Sequence, residues 1–120
     1  MTYDPGDVVT VPFPFTDRRQ AKRRPAVVLS SRRLSTRANQ YVLAMVTSAH
    51  HEQWPFDVPI TDGPAAGLRA ESVVRWKLFS LDAGLIVRRI GALAASDRRA
   101  VRQRLTEALV PKVALEKPAP

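Results

Sequence analysis

The chain has 120 residues, 45% of them apolar and none of them cysteine, which is enough for one hydrophobic core and excludes disulfide and thiolate chemistry. Its formal net charge is +8, from 19 Lys and Arg against 11 Asp and Glu, and 15 of these cations are Arg. Guanidinium groups form planar, bidentate contacts with phosphate, so this positive surface favours polyanions, either nucleic acid or an acidic protein.

A membrane location is not expected from this sequence. The longest uncharged run, residues 38–51, is interrupted by polar side chains and cannot span a bilayer. The first residues carry no signal pattern of basic, apolar and small residues. We therefore expect a cytoplasmic protein without a membrane partner.

Short apolar stretches predict five to six β-strands. In chain order they lie at residues 8–13, 26–30, 41–48, 56–60, 72–79 and 85–90. Asp7 is expected to hold a turn before the first of them, and Pro12 predicts an edge or a bulge because proline cannot donate to a ladder. The polar stretch at 31–40 predicts a loop or one helical turn.

One helix is predicted, near the end of the chain. Ser96 is expected to be its N-cap, with Asp97 in the first turn, and Pro111 should end it. Its apolar stripe consists of Val101, Leu105, Ala108 and Leu109. The remaining residues, 112–120, are rich in Pro, Ala and Lys and predict a disordered tail.

The order of these elements predicts the fold class. Because no helix alternates with the strands, the strands should pair antiparallel and curl into a small barrel, with the C-terminal helix over one face. We expect a single domain over residues 1–111.

Several familiar sites have no support in the sequence. The five glycines are scattered and form no phosphate-binding loop. His50 and His51 are adjacent, which is not the spacing of metal ligands on a strand. No nucleophile-elbow pattern supports a serine triad.

RNA cleavage is compatible with the polar residues that the strand ends carry. The ribose 2′-OH can attack the neighbouring phosphorus without a metal, provided that the protein stabilises the negative charge on the phosphate oxygens. Arg24 precedes Pro25 and a buried strand, and Thr47 and Ser48 end another strand. If these strand ends are adjacent, a guanidinium and a hydroxyl converge on one phosphate.

Several motifs occur in a characteristic order over about residues 5–110. They are Gly6-Asp7-Val8-Val9, Lys22-Arg23-Arg24-Pro25-Ala26-Val27-Val28-Leu29-Ser30, Val46-Thr47-Ser48, Phe56-Asp57-Val58-Pro59-Ile60, Gly67-Leu68, Ser72-Val73-Val74-Arg75, Leu78-Phe79-Ser80-Leu81-Asp82 and Ile90-Gly91. In this order they resemble the MazF/PemK toxin family, and the later ones its PemK-like branch.

The resemblance implies a CcdB/PemK-like, SH3-like barrel that forms a homodimer and acts as the toxin of a type II toxin–antitoxin system. It implies an endoribonuclease that cuts single-stranded RNA at short sequences without metal or other cofactor, leaving a 2′,3′-cyclic phosphate and a 5′-OH. Besides RNA and a second copy of the chain, the resemblance implies an antitoxin partner whose acidic, apolar tail lies across the RNA groove. By position, Arg24 matches the family's catalytic arginine and Thr47 its catalytic threonine.

The chain departs from the family pattern in two segments that help bind RNA. Residues 16–21 replace a Gly-Ser-Glu-Gln loop, and Trp76-Lys77 replace an acidic-Gln pair, so the cut sequence is not carried over. Trp76 is interpreted as a core or dimer contact. The RNA-binding candidates are Lys22, Arg23, Ser48, His50, His51 and Trp54.

Structural alternatives stand beside each of these assignments. Arg24, Lys22 and Arg23 can be plain surface cations, Thr47 a sheet-forming residue, the two histidines solvated, and Trp54 a loop aromatic that caps the barrel. Two alternative functions also stay open. One is a CcdB-like, non-enzymatic gyrase poison, and the other is a non-catalytic nucleic-acid-binding barrel.

Overall fold

The computed structural model describes residues 2–13 and 22–111. The predicted loop at 16–21 and the predicted disordered tail at 112–120 lie outside the described residues. The strands are β1 (Asp7–Phe13), β2 (Lys22–Val28), β3 (Gln40–Ser48), β4 (Val58–Pro59), β5 (Ser72–Asp82) and β6 (Arg88–Ala92). The helices are α1 (Arg32–Ala38) and α2 (Ala95–Leu109).

All six strands form one antiparallel sheet in the order β4-β5-β3-β2-β1-β6. The predicted fold class, mainly antiparallel β with a C-terminal helix, is confirmed. Pro12 pairs with Arg23 of β2, whereas the pairing of β1 with β6 ends at Thr10 opposite Arg88. Pro12 therefore lies beyond the part of β1 that is paired on both sides, as the missing N–H predicts.

The sheet packs an apolar core on each face, because successive side chains of a strand point to opposite sides. One core contains Val9, Val11, Ala26, Val28, Tyr41, Leu43 and Leu81, together with Tyr3 and Ile86. The other contains Val8, Val27, Ala44, Val46, Val58, Val74 and Leu93, and Val101 of α2 packs there. The continuous apolar run of β2 is explained by this arrangement, since it is buried on both faces.

Several strand boundaries differ from the predictions. β2 spans Lys22–Val28 instead of the predicted 26–30, so Lys22, Arg23 and Arg24 lie on the strand and not before it. β4 has only two residues, because Phe56 adopts a left-handed backbone (φ 68°) that interrupts the predicted alternation. β5 runs on to Asp82, and a 3-10 turn at Ala83–Leu85 delays the start of β6.

The helices also need correction. The stretch predicted as a loop or single turn forms the seven-residue helix α1, whose N-cap Ser31 accepts a hydrogen bond from the Leu34 N–H through Oγ (3.1 Å). The N-cap of α2 is Ala94, not Ser96. Of the predicted stripe, only Val101 is buried, and Leu109 at the C-terminal end is 56% exposed. Neither helix of the described chain is long and apolar enough to cross a membrane.

Asp7 holds a turn, as expected. Its Oδ2 accepts a hydrogen bond from the Asp4 N–H (2.8 Å), and its own N–H donates to the Asp4 carbonyl (2.9 Å). Gly6 within this turn has φ 92°, and a Cβ there would lie 2.9 Å from Cδ of Arg98. The turn therefore requires glycine, and it places the N-terminal segment against α2.

Candidate functional site

The register of β2 against β3 relates the two predicted catalytic residues. Ala26 pairs with Met45, and the pairing runs antiparallel toward the end of β3. The recorded pairing ends with this pair, and Arg24 and Thr47 each lie two residues beyond it on their own strands. Residues two apart on a strand share one side of the sheet, so the guanidinium and the hydroxyl lie on the same face.

Arg24 is held by a rigid strand and keeps an unengaged side chain. It pairs with Val11 of β1 and is exposed, and its guanidinium forms no ion pair or hydrogen bond within residues 2–13 and 22–111. The following proline restricts the backbone, and residues 26–28 are fully buried. The backbone at Arg24 is therefore fixed, and the five N–H donors of its side chain have no partner within the described residues that would compete with an incoming anion.

Lys22 and Arg23 are exposed neighbours of Arg24 on β2. Because side chains alternate along a strand, Lys22 shares the face of Arg24 and Arg23 points to the other face. Of these two neighbours, Lys22 is the one whose charge lies on the face of Arg24 and Thr47.

Thr47 is half-buried, and its hydroxyl is engaged by a turn that follows β3. Thr47 Oγ1 lies 3.1 Å from Nδ1 of His51. The His50 N–H donates to the Ser48 hydroxyl (3.2 Å), and the His51 N–H donates to the Ser48 carbonyl (3.2 Å). The structure thus brings His51 to Thr47 and gives the Ser48 hydroxyl a contact within the turn.

Trp54 lies in the next loop and is 41% exposed. Its ring is within cation–π distance of two cations on β5, the Arg75 guanidinium at 5.0 Å and the Lys77 ammonium at 5.4 Å. Trp54 is therefore packed on charged side chains of the sheet and still offers exposed aromatic surface.

The loop that carries Trp54 is anchored by an ion pair between Arg75 and Asp57. Nε and Nη2 of Arg75 donate to the two carboxylate oxygens of Asp57 (3.2 and 2.9 Å), and Nη2 also donates to the Glu52 carbonyl (2.6 Å). Their side chains are only 11% and 12% exposed. Burial would raise the pKa of Asp57, but the hydrogen bonds from Arg75 and the Trp54 N–H outweigh it, so the pKa is lowered.

Sequence reasoning missed the positioning role of this ion pair. Arg75 pairs with Met45, two residues before Thr47 on β3, and so lies on the same face as the Arg24–Thr47 pair. Arg75 and Asp57 are 18 residues apart, with β4 and the loop after it between them. No local pattern in the sequence links them. The one signal was that both stand within motifs of the family resemblance.

Trp76 is half-buried, and its Nε1 has no hydrogen-bond partner within the described residues. The interpretation of Trp76 as a core or dimer contact stays a prediction. No group of three His, Asp or Glu side chains in residues 2–13 and 22–111 lies close enough to hold a metal ion together.

Comparisons with known proteins were made against families, curated proteins and solved structures. The family model described as a PemK-like, MazF-like toxin of type II toxin–antitoxin systems matches residues 4–109. No curated protein matches the chain significantly.

Among solved structures, MazF from Deinococcus radiodurans (Form-I) is 27% identical, with a TM-score of 0.69, and the match covers 91% of this chain and 97% of that one. The MazE-MazF complex (Form-II) of that organism gives 23% identity and a TM-score of 0.69, over 92% and 97%. An endoribonuclease in complex with its cognate antitoxin, from a mycobacterial species, gives 16% and 0.66, over 99% and 98%. The fold is thus shared over nearly the whole length of each chain.

Proposed function

Because the chain belongs to the PemK-like, MazF-like toxins of type II toxin–antitoxin systems, we propose that it is a metal-independent endoribonuclease that cuts single-stranded RNA, mRNA included, at short sequences. Cutting of mRNA would inhibit translation and growth. The observation that supports this proposal is the pairing of Ala26 with Met45, because Arg24 and Thr47 each stand two residues beyond that pair and on its face of the sheet. An unpaired guanidinium beside a hydroxyl is the donor set that a phosphodiester needs.

The proposed reaction is an internal transfer at phosphorus. The 2′-oxygen attacks the adjacent phosphorus as its proton leaves, and the bond from phosphorus to the 5′-oxygen breaks as that oxygen takes up a proton. The products are a 2′,3′-cyclic phosphate and a 5′-OH. Negative charge grows on the non-bridging oxygens in the transition state, where Arg24 donates two hydrogen bonds and the Thr47 hydroxyl one.

The other predicted site residues would hold the RNA. Lys22, on the face of Arg24, attracts the phosphate backbone directly, and Arg23, on the other face, adds only its longer-range positive charge. Both contributions should weaken as the salt concentration rises. Ser48 at the end of β3 and His50 in the following turn can contact the nucleotides that flank the cut, whereas the His51 ring contacts Thr47 itself.

The proposed partners besides RNA are an antitoxin and a second copy of the chain. Solved complexes of similar fold, MazE-MazF from Deinococcus radiodurans and a mycobacterial endoribonuclease with its cognate antitoxin, support an antitoxin partner. The net charge of +8 suits an acidic antitoxin tail. Homodimer formation and action in the cytoplasm, where mRNA is available, are part of the same proposal.

The direct test is incubation of the purified protein with an unstructured, end-labelled RNA in EDTA, beside a DNA of the same sequence. We expect the RNA to be cut at discrete positions and the DNA to stay intact, because DNA has no 2′-OH. RNA that is bound with strong salt dependence but never cut would select the non-catalytic barrel instead. Growth arrest with intact RNA and trapped gyrase–DNA complexes would select the gyrase poison.

Trp54→Ala is expected to weaken RNA binding by about 5- to 150-fold, because stacking of a base on an aromatic side chain contributes about 1–3 kcal/mol. Trp54→Phe keeps an aromatic face and should retain most of the affinity. The affected quantity is the dissociation constant, measured with uncleavable 2′-deoxy RNA. The cleavage rate constant at saturating RNA, measured separately, should change little. Equal affinities of Trp54→Ala and the wild type would remove Trp54 from the RNA-binding surface.

A further inference from the structure

In the hydrogen bond between His51 and Thr47, the choice of donor decides where the Thr47 hydroxyl proton points. We propose that His51 is a positioning residue: its Nδ1–H donates to the Thr47 hydroxyl oxygen and thereby turns the single hydroxyl proton of Thr47 toward the substrate phosphate. The inference starts from the 3.1 Å separation of Thr47 Oγ1 and His51 Nδ1. It rests on the proposed function, because it assigns a role within the same site.

The proton inventory of the two groups decides between the two directions of this hydrogen bond. A threonine hydroxyl has one proton and two lone pairs, and a neutral imidazole has one nitrogen that donates and one that accepts. If His51 Nδ1 accepted, the only proton of the hydroxyl would be used, and Thr47 would turn lone pairs toward a negative phosphate oxygen. If Nδ1–H donates, the hydroxyl proton stays free for the phosphate.

The backbone around the turn fixes His51 where this bond can form. The His51 N–H donates to the Ser48 carbonyl (3.2 Å), and the His50 N–H donates to the Ser48 hydroxyl (3.2 Å). The Ala49 N–H donates to the Glu71 carbonyl (2.9 Å), so the turn is attached to the residue that precedes β5. Three hydrogen bonds therefore hold the turn that places the imidazole against Thr47, four residues earlier.

The two ring positions of His51 can be replaced separately. Asparagine places its amide NH₂ close to the position of Nδ1, whereas glutamine places its amide near Nε2. His51→Asn should therefore retain the donor to Thr47, and His51→Gln and His51→Ala should lose it. Gln53→Ala is the matched control, since Gln53 is exposed in the same loop and its side chain makes no hydrogen bond within the described residues.

The kinetic experiment measures single-turnover cleavage of RNA at saturating enzyme. We expect His51→Ala and His51→Gln to lower the rate constant by about 10- to 100-fold, as for other groups that orient a catalytic side chain. His51→Asn should recover most of the loss, and Gln53→Ala should match the wild type. The enzyme concentration at half-maximal rate should change by less than about two-fold, because the change is in hydroxyl orientation.

A double-mutant cycle separates positioning from an independent role. In a Thr47→Val background, which removes the hydroxyl at nearly constant shape, adding His51→Ala should cause no further loss. A full second loss would mean that His51 acts on the RNA or on a proton directly, and would overturn the inference. A wild-type rate in His51→Ala would overturn it as well.

A measurement without RNA keeps this inference separable from the proposed function. Nitrogen-15 spectra of the histidine rings at about pH 8.5, where an ordinary imidazole is neutral, report which ring nitrogen carries the proton. We expect the His51 proton on Nδ1 in the wild type and on Nε2 in Thr47→Val.

A His51 proton on Nε2 in a wild type that cuts RNA would overturn the inference and leave the proposed function standing. A His51 proton on Nδ1 in a wild type that cuts no RNA would support the hydroxyl orientation and overturn the proposed function.

Discussion

Arg24→Ala is expected to lower the rate constant of RNA cleavage by about 10²- to 10³-fold, the usual loss when one preorganised donor is removed from a developing negative charge. The guanidinium is unpaired within the described residues, and its strand continues through Pro25 into the fully buried residues 26–28, so the backbone that carries it is fixed before the substrate arrives. Because the charge grows mainly in the transition state, the loss should appear in the rate constant at saturating RNA and much less in RNA affinity.

Two variants show whether geometry or charge is responsible for this effect. Arg24→Lys keeps the charge but loses the planar pair of donors, and it should recover only part of the rate. Arg37→Ala removes the same charge from an exposed position in the last turn of α1 and should cleave like the wild type. An equal loss of cleavage in Arg24→Ala and Arg37→Ala would show that Arg24 contributes net charge alone. Wild-type cleavage by both variants would show that Arg24 is not needed for the reaction.

Asp97→Ala is expected to lower the free energy of unfolding by about 3 kcal/mol or more. Asp97 is 2% exposed, and its carboxylate accepts hydrogen bonds from the Thr61 N–H, the Thr61 hydroxyl and the Asp62 N–H at 2.8 to 3.1 Å. The variant leaves these donors without their acceptor, and α2 loses its link to the loop after β4. Thermal unfolding should show a fall in Tm of roughly 10–20 °C.

The control is Glu71→Ala, which removes an exposed carboxylate whose side chain makes no hydrogen bond within the described residues and should change stability by less than about 0.5 kcal/mol. A Tm of Asp97→Ala within a few degrees of the wild type would mean that the carboxylate network contributes little. Neither variant touches the Arg24–Thr47 pair, so any residual folded protein should still cut RNA.

The same carboxylate gives stability a dependence on pH. Burial would raise the pKa of Asp97, but hydrogen bonds from Asp62 and Thr61 outweigh it and the net shift is downward. A carboxyl whose pKa is lower in the folded state stabilises that state above its unfolded pKa, near 4, and this contribution is lost as the pH falls through the folded value.

Urea unfolding from about pH 7 to pH 2 should therefore show a loss of stability below about pH 4 that is smaller in Asp97→Asn than in the wild type. Asp57, whose pKa is also lowered, contributes with the same sign. Parallel profiles for the two proteins would contradict the role of Asp97.

The sequence predicted the elements that local patterns specify and missed those that depend on tertiary contacts. Strand β3 was predictable from its continuous β-forming residues, whereas α1 was not, because Ser35 is its only buried residue and it therefore shows no apolar period. Asp97 was interpreted as a helix-dipole partner. In the structure its carboxylate accepts hydrogen bonds from Thr61 and Asp62, which lie 36 and 35 residues earlier in the chain. Such long-range hydrogen bonds leave no local trace.

The candidate site was predictable only in part for the same reason. The resemblance to MazF and PemK toxins pointed to Arg24 and Thr47, and the residue types alone left each of them a plausible surface or sheet residue. Their common face of the sheet follows from the pairing of Ala26 with Met45, which composition alone does not reveal. The contact of His51 with Thr47 depends on the shape of one turn, so adjacency in sequence suggested proximity without identifying the atoms.

In the proposed reaction, the ribose 2′-OH of the RNA attacks the adjacent phosphorus. The most direct test of this central step is a single 2′-deoxy substitution at the nucleotide before the mapped cut, assayed in EDTA. We predict that this RNA stays intact at that position, while an RNA with the substitution one nucleotide later is cut normally to a 2′,3′-cyclic phosphate and a 5′-OH. Cleavage of the first RNA at the wild-type rate, or products with a 5′-phosphate, would contradict the mechanism assigned to Arg24 and Thr47.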